Sequence, residues 1–323
     1  MQAIVVPEYG DSSVLTVTER PAPTRAPDEV SINVEAAGVN FADVEQRKGN
    51  YPGGPSPPFV PGLEVAGIVT EAPSESDIEA GDRVAALTSS GGYATVATAP
   101  VQHTFPIPES LSWAEATALP VQGLTAHNVL HEWGGLSADD RVLVHAGAGG
   151  VGSLAVQLAD AAVATVYTTA STEAKREQTL DLGADHALDY TETDVADTLL
   201  TRTDGEGVDL VLDGVGGDAF AAGVEALAPA GRIVSFGMAS GSVPTVATPR
   251  LFFENQSLLG YHLEHALAHV PERVLSAVPS LTRHLRSGSV EVVVDRTLPL
   301  GEPQQAHDAL ANRETTGKVV LVP

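Results

Sequence analysis

"RVLVHAGAGGVGSLAVQLADAA", residues 141–162, is the stretch whose reading decides the fold. An apolar strand enters a glycine-rich turn and leaves as a helix. Within the turn, Gly147-Ala148-Gly149-Gly150-Val151-Gly152 satisfies G-x-G-x-x-G. Gly147 is expected to make the tight exit from the strand, Gly149 to let the backbone approach a pyrophosphate, and Gly152 to bring the helix close to the sheet. The helix start adds unpaired N–H groups and positive dipole character for the same anion. A purely structural glycine turn is the alternative, and the surrounding sequence argues against it.

From Arg141 onward apolar strands alternate with amphipathic helices: "TVYTTA" precedes "STEAKREQTLDLG", "HALDY" precedes "DVADTLL", "VDLVLDGV" precedes "DAFAAGVEALA", and "GRIVSFGMASG" leads to "SLLGY". This alternation predicts βαβ crossovers, hence an α/β fold with a doubly wound parallel sheet of Rossmann type. The first third is different. "QAIVV", "EVSINVEAAGV", "VAGIVTEA" and "DRVAAL" are short β-branched runs between Pro, Gly and Asp signals, as in a β-rich domain. "ESLSWAEATALPVQGLTAHNVLHEW" has helical apolar spacing, with Ser112 and Glu115 placed as a capping box. The tail returns to β-branched runs around one helix. The expected division is residues 1–123, completed by 261–323, as one domain and 124–260 as the dinucleotide-binding domain.

The chain has 323 residues, no cysteine, and 42 acidic against 17 basic residues, a net charge of -25. Without cysteine there are no disulfides, thiolate zinc sites, iron–sulfur clusters or cysteine nucleophiles. Scattered acids repel phosphates, which disfavours nucleic acid and anionic membranes, and neither is expected as a partner. They also suit a solvated shell at very high salt, the halophilic reading; an ordinary acidic cytosolic protein is the alternative. Met1 to Val6 lack a basic leader, and no run of about 18 apolar residues occurs, so a soluble cytoplasmic protein is expected. Only Lys48, Lys175 and Lys318 are lysines.

Cofactor choice turns on the end of the second strand, where NAD enzymes place an acid on the ribose. Here "ATVYTTA" ends at Ala170-Ser171 with no acid. Glu173 falls in the first turn of the next helix, where the dipole accounts for it. Lys175 can neutralise a 2′-phosphate, or stand as a solvated helix residue; together these positions favour NADPH.

"AGVNFAD" (37–43), "GDRV" (81–84), "HAGAGGVG" (145–152), "LGAD" (182–185) and "GRIVSFG" (231–237), in this order, resemble the medium-chain dehydrogenase/reductase superfamily, in particular its zinc-free, zeta-crystallin-like quinone oxidoreductase branch. The resemblance implies a GroES-like catalytic domain interrupted by a Rossmann domain, an active site in the cleft between them, and a homodimer. Where zinc-dependent members carry ligands, this chain has Asn40, Leu63 and Val121, none a zinc donor, so no metal is expected. An acceptor that takes hydride unaided, a quinone or an α,β-unsaturated carbonyl, is then the better substrate.

By the same resemblance Asn40 and Tyr51 line the cleft. Asn40 would hydrogen-bond a carbonyl oxygen and Tyr51 would donate a proton. A turn hydrogen bond for Asn40 and packing beside Pro52 for Tyr51 are the structural alternatives. Glu45 stands where a second Tyr often lies. Thr125 matches a nicotinamide contact, Phe236 and Gly237 match the strand end beneath it, and Tyr190 and Arg313 match positions near the adenosine 2′-phosphate. His262, His265 and His269 fall on one face if "YHLEHALAH" is helical; they are a metal set or the polar flank of an apolar stripe. His145 reads as packed, and Asp213 as a cofactor-pocket or loop-capping residue. The expected activity is NADPH:quinone reduction, with an enoyl thioester or 2-alkenal reductase and a low-turnover NADPH-binding protein as rivals.

Overall fold

A computed structural model describes residues 1–323, in two compact units: Met1–Val121 with Val292–Pro323, and Gln122–Glu291. In the first unit, β1 (Gln2–Val5) pairs antiparallel with β2 (Thr16–Glu19). The long strand β3 (Glu29–Val39) runs into α1 (Phe41–Lys48), which Gly49 ends at φ 79°, a conformation glycine adopts without strain. Then come β4 (Glu64–Glu71), β5 (Arg83–Leu87), β6 (Val96–Pro100), β7 (Thr104–Pro106) and the single-turn α2 (Trp113–Ala116). The capping box on α2 is present: Glu115 N–H donates to Ser112 Oγ (3.3 Å), and Ser112 N–H to Glu115 Oε2 (2.8 Å).

The long helix expected after the Ser112 cap is broken up. Leu119–Gly123 and Asn128–Glu132 form wider π turns on either side of α3 (Leu124–His127). Pro120 lacks the N–H that an α-helical bond would need, which disrupts the ladder locally.

The second unit continues with β8 (Arg141–Val144), α4 (Gly150–Ala161), β9 (Thr165–Ala170), α5 (Glu173–Asp181), β10 (His186–Asp189), α6 (Val195–Arg202), β11 (Val208–Asp213), α7 (Gly217–Glu225), β12 (Leu227–Ser235), α8 (Thr248–Glu254) and β13 (Ser257–Gly260). Its six strands lie in the order β10-β9-β8-β11-β12-β13, every pair parallel. Counted from β8 this is the doubly wound order 3-2-1-4-5-6. Leu143, Val211, Ile233, Leu199 and Phe220 form its core, as expected for strands covered on both faces.

The return to the first unit comes at Val292, not at residue 261. The intervening α9 (Leu263–His269), α10 (Pro271–Leu275) and α11 (Ala277–Ser287) stay with the second unit. Buried Asn128 Nδ2 donates to Val274 O (3.2 Å), and Gln157 exchanges two hydrogen bonds with the Glu291 backbone. Side-chain contacts of this kind leave no periodic trace in the sequence.

β14 (Val294–Pro299), α12 (Pro303–Ala311) and β15 (Lys318–Val322) complete the first unit. Its larger sheet runs β14-β15-β3-β4-β5-β7, with β6 also on β3. β3 is flanked by β15 and β4 at its C-terminal end: Val39 faces Val319, and Ala37 faces both Leu321 and Val65. Ile4, Ile32, Val65, Val84, Tyr93 and Leu321 are among its buried core.

Candidate active site

The glycine turn follows β8 and opens α4, as the sequence requires, but its residues divide the work differently. The left-handed residue at the strand exit is Ala146 (φ 53°), not Gly147. Gly147 is needed for close approach: a Cβ there would overlap the Thr168 hydroxyl of the neighbouring strand. A Cβ on Gly152 would overlap the Ala146 carbonyl and lie 2.8 Å from Gly147 Cα, so this glycine lets α4 start against the turn. One on Gly150 would strike the Gln122 amide. Gly149 is the N-cap, and a Cβ there would meet only Ala146 O, at 3.2 Å, leaving the space beyond it open. Ala148 is buried and Val151 half-buried. An uncrowded glycine at the head of a 12-residue helix is a cradle that suits a pyrophosphate.

At the C-terminal ends of β9 and β10, register sets Asp189 beside Ala170, bringing Ser171 and exposed Tyr190 to one edge. Thr172 caps α5 by accepting from Lys175 N–H (3.3 Å), which places Lys175 in the first turn. Arg176 pairs with Asp189, whose other oxygen accepts from Thr191 N–H and Oγ1. The sequence reading missed Arg176. It neutralises Asp189, the acid that ends β10. Arg313 belongs to the first unit, exposed after α12 at φ 58°.

Thr125 is buried on α3. Phe236 and Gly237 follow β12: Phe236 N–H donates to Asp213 O (2.9 Å), and both residues crowd Gly214. Asp213 caps its loop, accepting from Val215 and Gly216 N–H at 2.9 and 3.0 Å; burial raises its pKa. His145 is buried against Thr169 Oγ1 (3.2 Å), and burial pushes its pKa down to about 4. His262 lies outside the helix that was expected to carry it; it caps α9, its Nδ1 accepting from His265 N–H (3.2 Å). His265 and His269 stack at 4.1 Å. The three therefore do not share a helical face.

In the first unit Asn40 is the N-cap of α1. Its backbone N–H donates to Asp43 Oδ2 (2.8 Å), and its side-chain Nδ2 to Glu64 Oε1 (2.7 Å). Lys318 Nζ donates to Asn40 Oδ1 (3.2 Å) and forms an ion pair with Glu64, both side chains fully buried. Glu64 Oε2 accepts the Val121 N–H (2.7 Å). Asn40 and Val121 thus meet at Glu64, the residue after Leu63, and that point is filled by a carboxylate already bound to a lysine, an amide and a backbone N–H. This donor set does not fit zinc, and no group of three or more His, Asp or Glu converges elsewhere as a metal cage. Tyr51, half-buried, lies in the turn after α1, its carbonyl accepting from Gly54 N–H (3.0 Å). Glu45 is held by Lys48 (3.0 Å) and Asn50 (3.3 Å).

Behind Asn40 is a network the sequence reading did not find. Tyr93 OH donates to Asp43 Oδ2 and meets His307 Nε2, both at 3.1 Å. Burial, with Glu64 nearby, raises the Asp43 pKa to about 7, and burial beside Arg47 lowers that of His307 to about 3. The one signal available was Lys318, a lysine kept in an apolar strand of a chain that has only three.

Comparison with known proteins agrees over the whole length. Residues 26–109 match the alcohol dehydrogenase GroES-like domain family, and 150–282 the zinc-binding dehydrogenase family. The chain is 35% identical to a Schizosaccharomyces pombe protein described as "Probable quinone oxidoreductase" over 99% of its own length and 96% of that protein's. It is 32% identical to the quinone oxidoreductase of Pseudomonas aeruginosa, covering 98% and 97%. The structure of Escherichia coli quinone oxidoreductase complexed with NADPH superposes with a TM-score of 0.93 at 32% identity, each chain covered in full. A GroES-like β unit joined in one chain to a doubly wound nucleotide-binding unit is the architecture of the medium-chain dehydrogenases and reductases. Within that superfamily the chain belongs to the quinone oxidoreductase branch.

Proposed function

We propose that this protein is an NADPH-dependent, zinc-independent quinone oxidoreductase. The observation that carries the reading is the open face of Gly149 at the head of α4, in a chain that aligns end to end with an NADPH-complexed quinone oxidoreductase. The turn 147–152 would hold the pyrophosphate on the α4 N-terminus. Ser171, Lys175 and Tyr190 would receive the 2′-phosphate, and Thr125, Phe236 and Gly237 the nicotinamide end. When bound, the cofactor supplies a hydride.

The chain's own residues orient the acceptor and manage its charge. Asn40 offers its amide to a carbonyl oxygen, held in one orientation by Glu64 and Lys318. Tyr51 donates a proton to that oxygen as negative charge develops. No metal donor set stands at Asn40, which favours a quinone or conjugated carbonyl over an alcohol.

The assembly we propose is a homodimer. β13 is an edge strand, and just before it α8 exposes Phe252 (62%) and Phe253 (75%), with Leu258 exposed on the strand itself. An apolar edge of this kind is suited to pairing with a second copy. No helix is long and apolar enough to cross a membrane; a cytoplasmic, salt-adapted enzyme is the setting in which the net charge of -25 makes sense.

The test is a screen of NADPH oxidation at high salt across quinones, enals and enoyl thioesters. Turnover with quinones is expected. Turnover confined to enoyl thioesters or enals would replace the acceptor, and tight NADPH binding without turnover would make this a binding protein.

A further inference from the structure

The Lys318–Glu64 pair is placed at some expense to the fold. Both side chains are fully buried, and 254 residues of chain separate them. Replacing a buried ion pair with apolar residues is often neutral or stabilising, so stability alone does not explain it. Room for it is made on β3: a Cβ on Gly38 would overlap Glu64 Oε1 and come within 2.7 Å of Lys318 Nζ. The three strands β15, β3 and β4 therefore meet at a point where the central one carries no side chain.

Asn40 sits on this pair. An asparagine amide has two nearly identical shapes related by a flip of its end, one presenting a donor where the other presents an acceptor. Here Glu64 Oε1 can only accept and Lys318 Nζ can only donate, and they take Nδ2 and Oδ1 respectively. The flipped amide would face oxygen with oxygen and N–H with N–H, so only one orientation survives. A neutral pair of the same size would not discriminate so strongly, because an amide or hydroxyl partner can rotate to suit either flip.

We propose that Lys318, acting with Glu64, is the positioning residue for Asn40: the buried ion pair selects which amide atom the site presents to a substrate carbonyl. This rests on the reading of Asn40 as a substrate-binding group.

The test is a cycle of variants of the full-length enzyme, assayed with NADPH and a quinone. Asn40→Ala should lower kcat. The charge-free double variant Glu64→Gln/Lys318→Met should lower kcat by about tenfold, a fraction of what losing a whole transition-state donor costs, with the NADPH KM unchanged. On the Asn40→Ala background the same double change should do nothing more to kcat.

If Asn40→Ala leaves kcat and the quinone KM as they were, the reading of the site fails and this proposal with it. If Asn40→Ala is impaired but the double variant is not, only the positioning role is overturned. An equal loss on both backgrounds would also overturn it, since that is what a general packing defect produces. Should the double variant not fold, Gly38→Ala displaces the pair without removing charge and is read in the same cycle.

Discussion

Arg176, on α5, closes an ion pair on Asp189, the last residue of β10, while Asp189 itself sits in register with Ala170 at the end of β9. The only carboxylate at the ends of these two strands is therefore spoken for, and Lys175 one residue earlier stands beside a neutralised edge. Lys175→Ala is expected to weaken NADPH binding about tenfold, the worth of one charge-assisted contact, and to leave NADH binding unchanged. Fluorescence titration at matched salt measures both; equal losses for the two cofactors would remove Lys175 from the 2′-phosphate site.

Glu64 has neither oxygen free of a donor, so zinc has no route into this corner without displacing Lys318. Dialysis against a chelator should leave quinone reduction unchanged, and added zinc should not raise it. Loss on dialysis with recovery on zinc would overturn the reading of this cluster.

Stability should fall as pH drops below neutral. His127, His145 and His307 are pushed by burial from 6.5 to about 4, 4 and 3. Folded they are neutral where the unfolded chain is protonated, so each withdraws stability as pH falls from about 6.5 toward 4. Asp43 acts the other way: raised from 3.8 to about 7, it favours the folded state at low pH and loses that contribution as pH rises through about 7. Three groups outweigh one, and burial lowers His103 and His131 in the same direction, so unfolding between these limits takes up protons. The melting temperature should rise from pH 4.5 to about pH 7 and level off above it; a flat profile over that range would show that these histidines are not held neutral.

Phe252 and Phe253 are more than half exposed beside an edge strand. Phe252→Asp/Phe253→Asp should convert a dimer to a monomer in sedimentation equilibrium while NADPH binding persists. A wild-type chain that is monomeric across the concentration range would refute the proposed assembly.

A net charge of -25 on 323 residues is self-repelling at low ionic strength, where screening reaches tens of ångströms. The melting temperature should climb as potassium chloride rises from the millimolar to the molar range. A decrease, or no response, would make the acids an incidental surface and not an adaptation to salt.

Much of this molecule was open to reading from the chain alone. The βα alternation after Arg141 predicts the parallel sheet, because strands buried on both faces and helices buried on one have different apolar periods. "HAGAGGVG" predicts the glycine turn that joins β8 to α4, since room for a close approach is a property of residue type at a position. The long-range contacts were not legible. Residues 261–291 lie with the second unit, where Asn128 and Gln157 reach backbone far along the chain. Ala146, not Gly147, takes the left-handed turn, and Gly147 is instead needed where Thr168 of the neighbouring strand leaves no room for a Cβ. Above all, nothing in "GLEVAG" or "GKVVLV" says that Glu64 and Lys318 meet. Sequence determines which chemistry each residue can offer; only the packing of β15 and β4 against a glycine of β3 decides that these two charges share one buried point and that Asn40 answers to both.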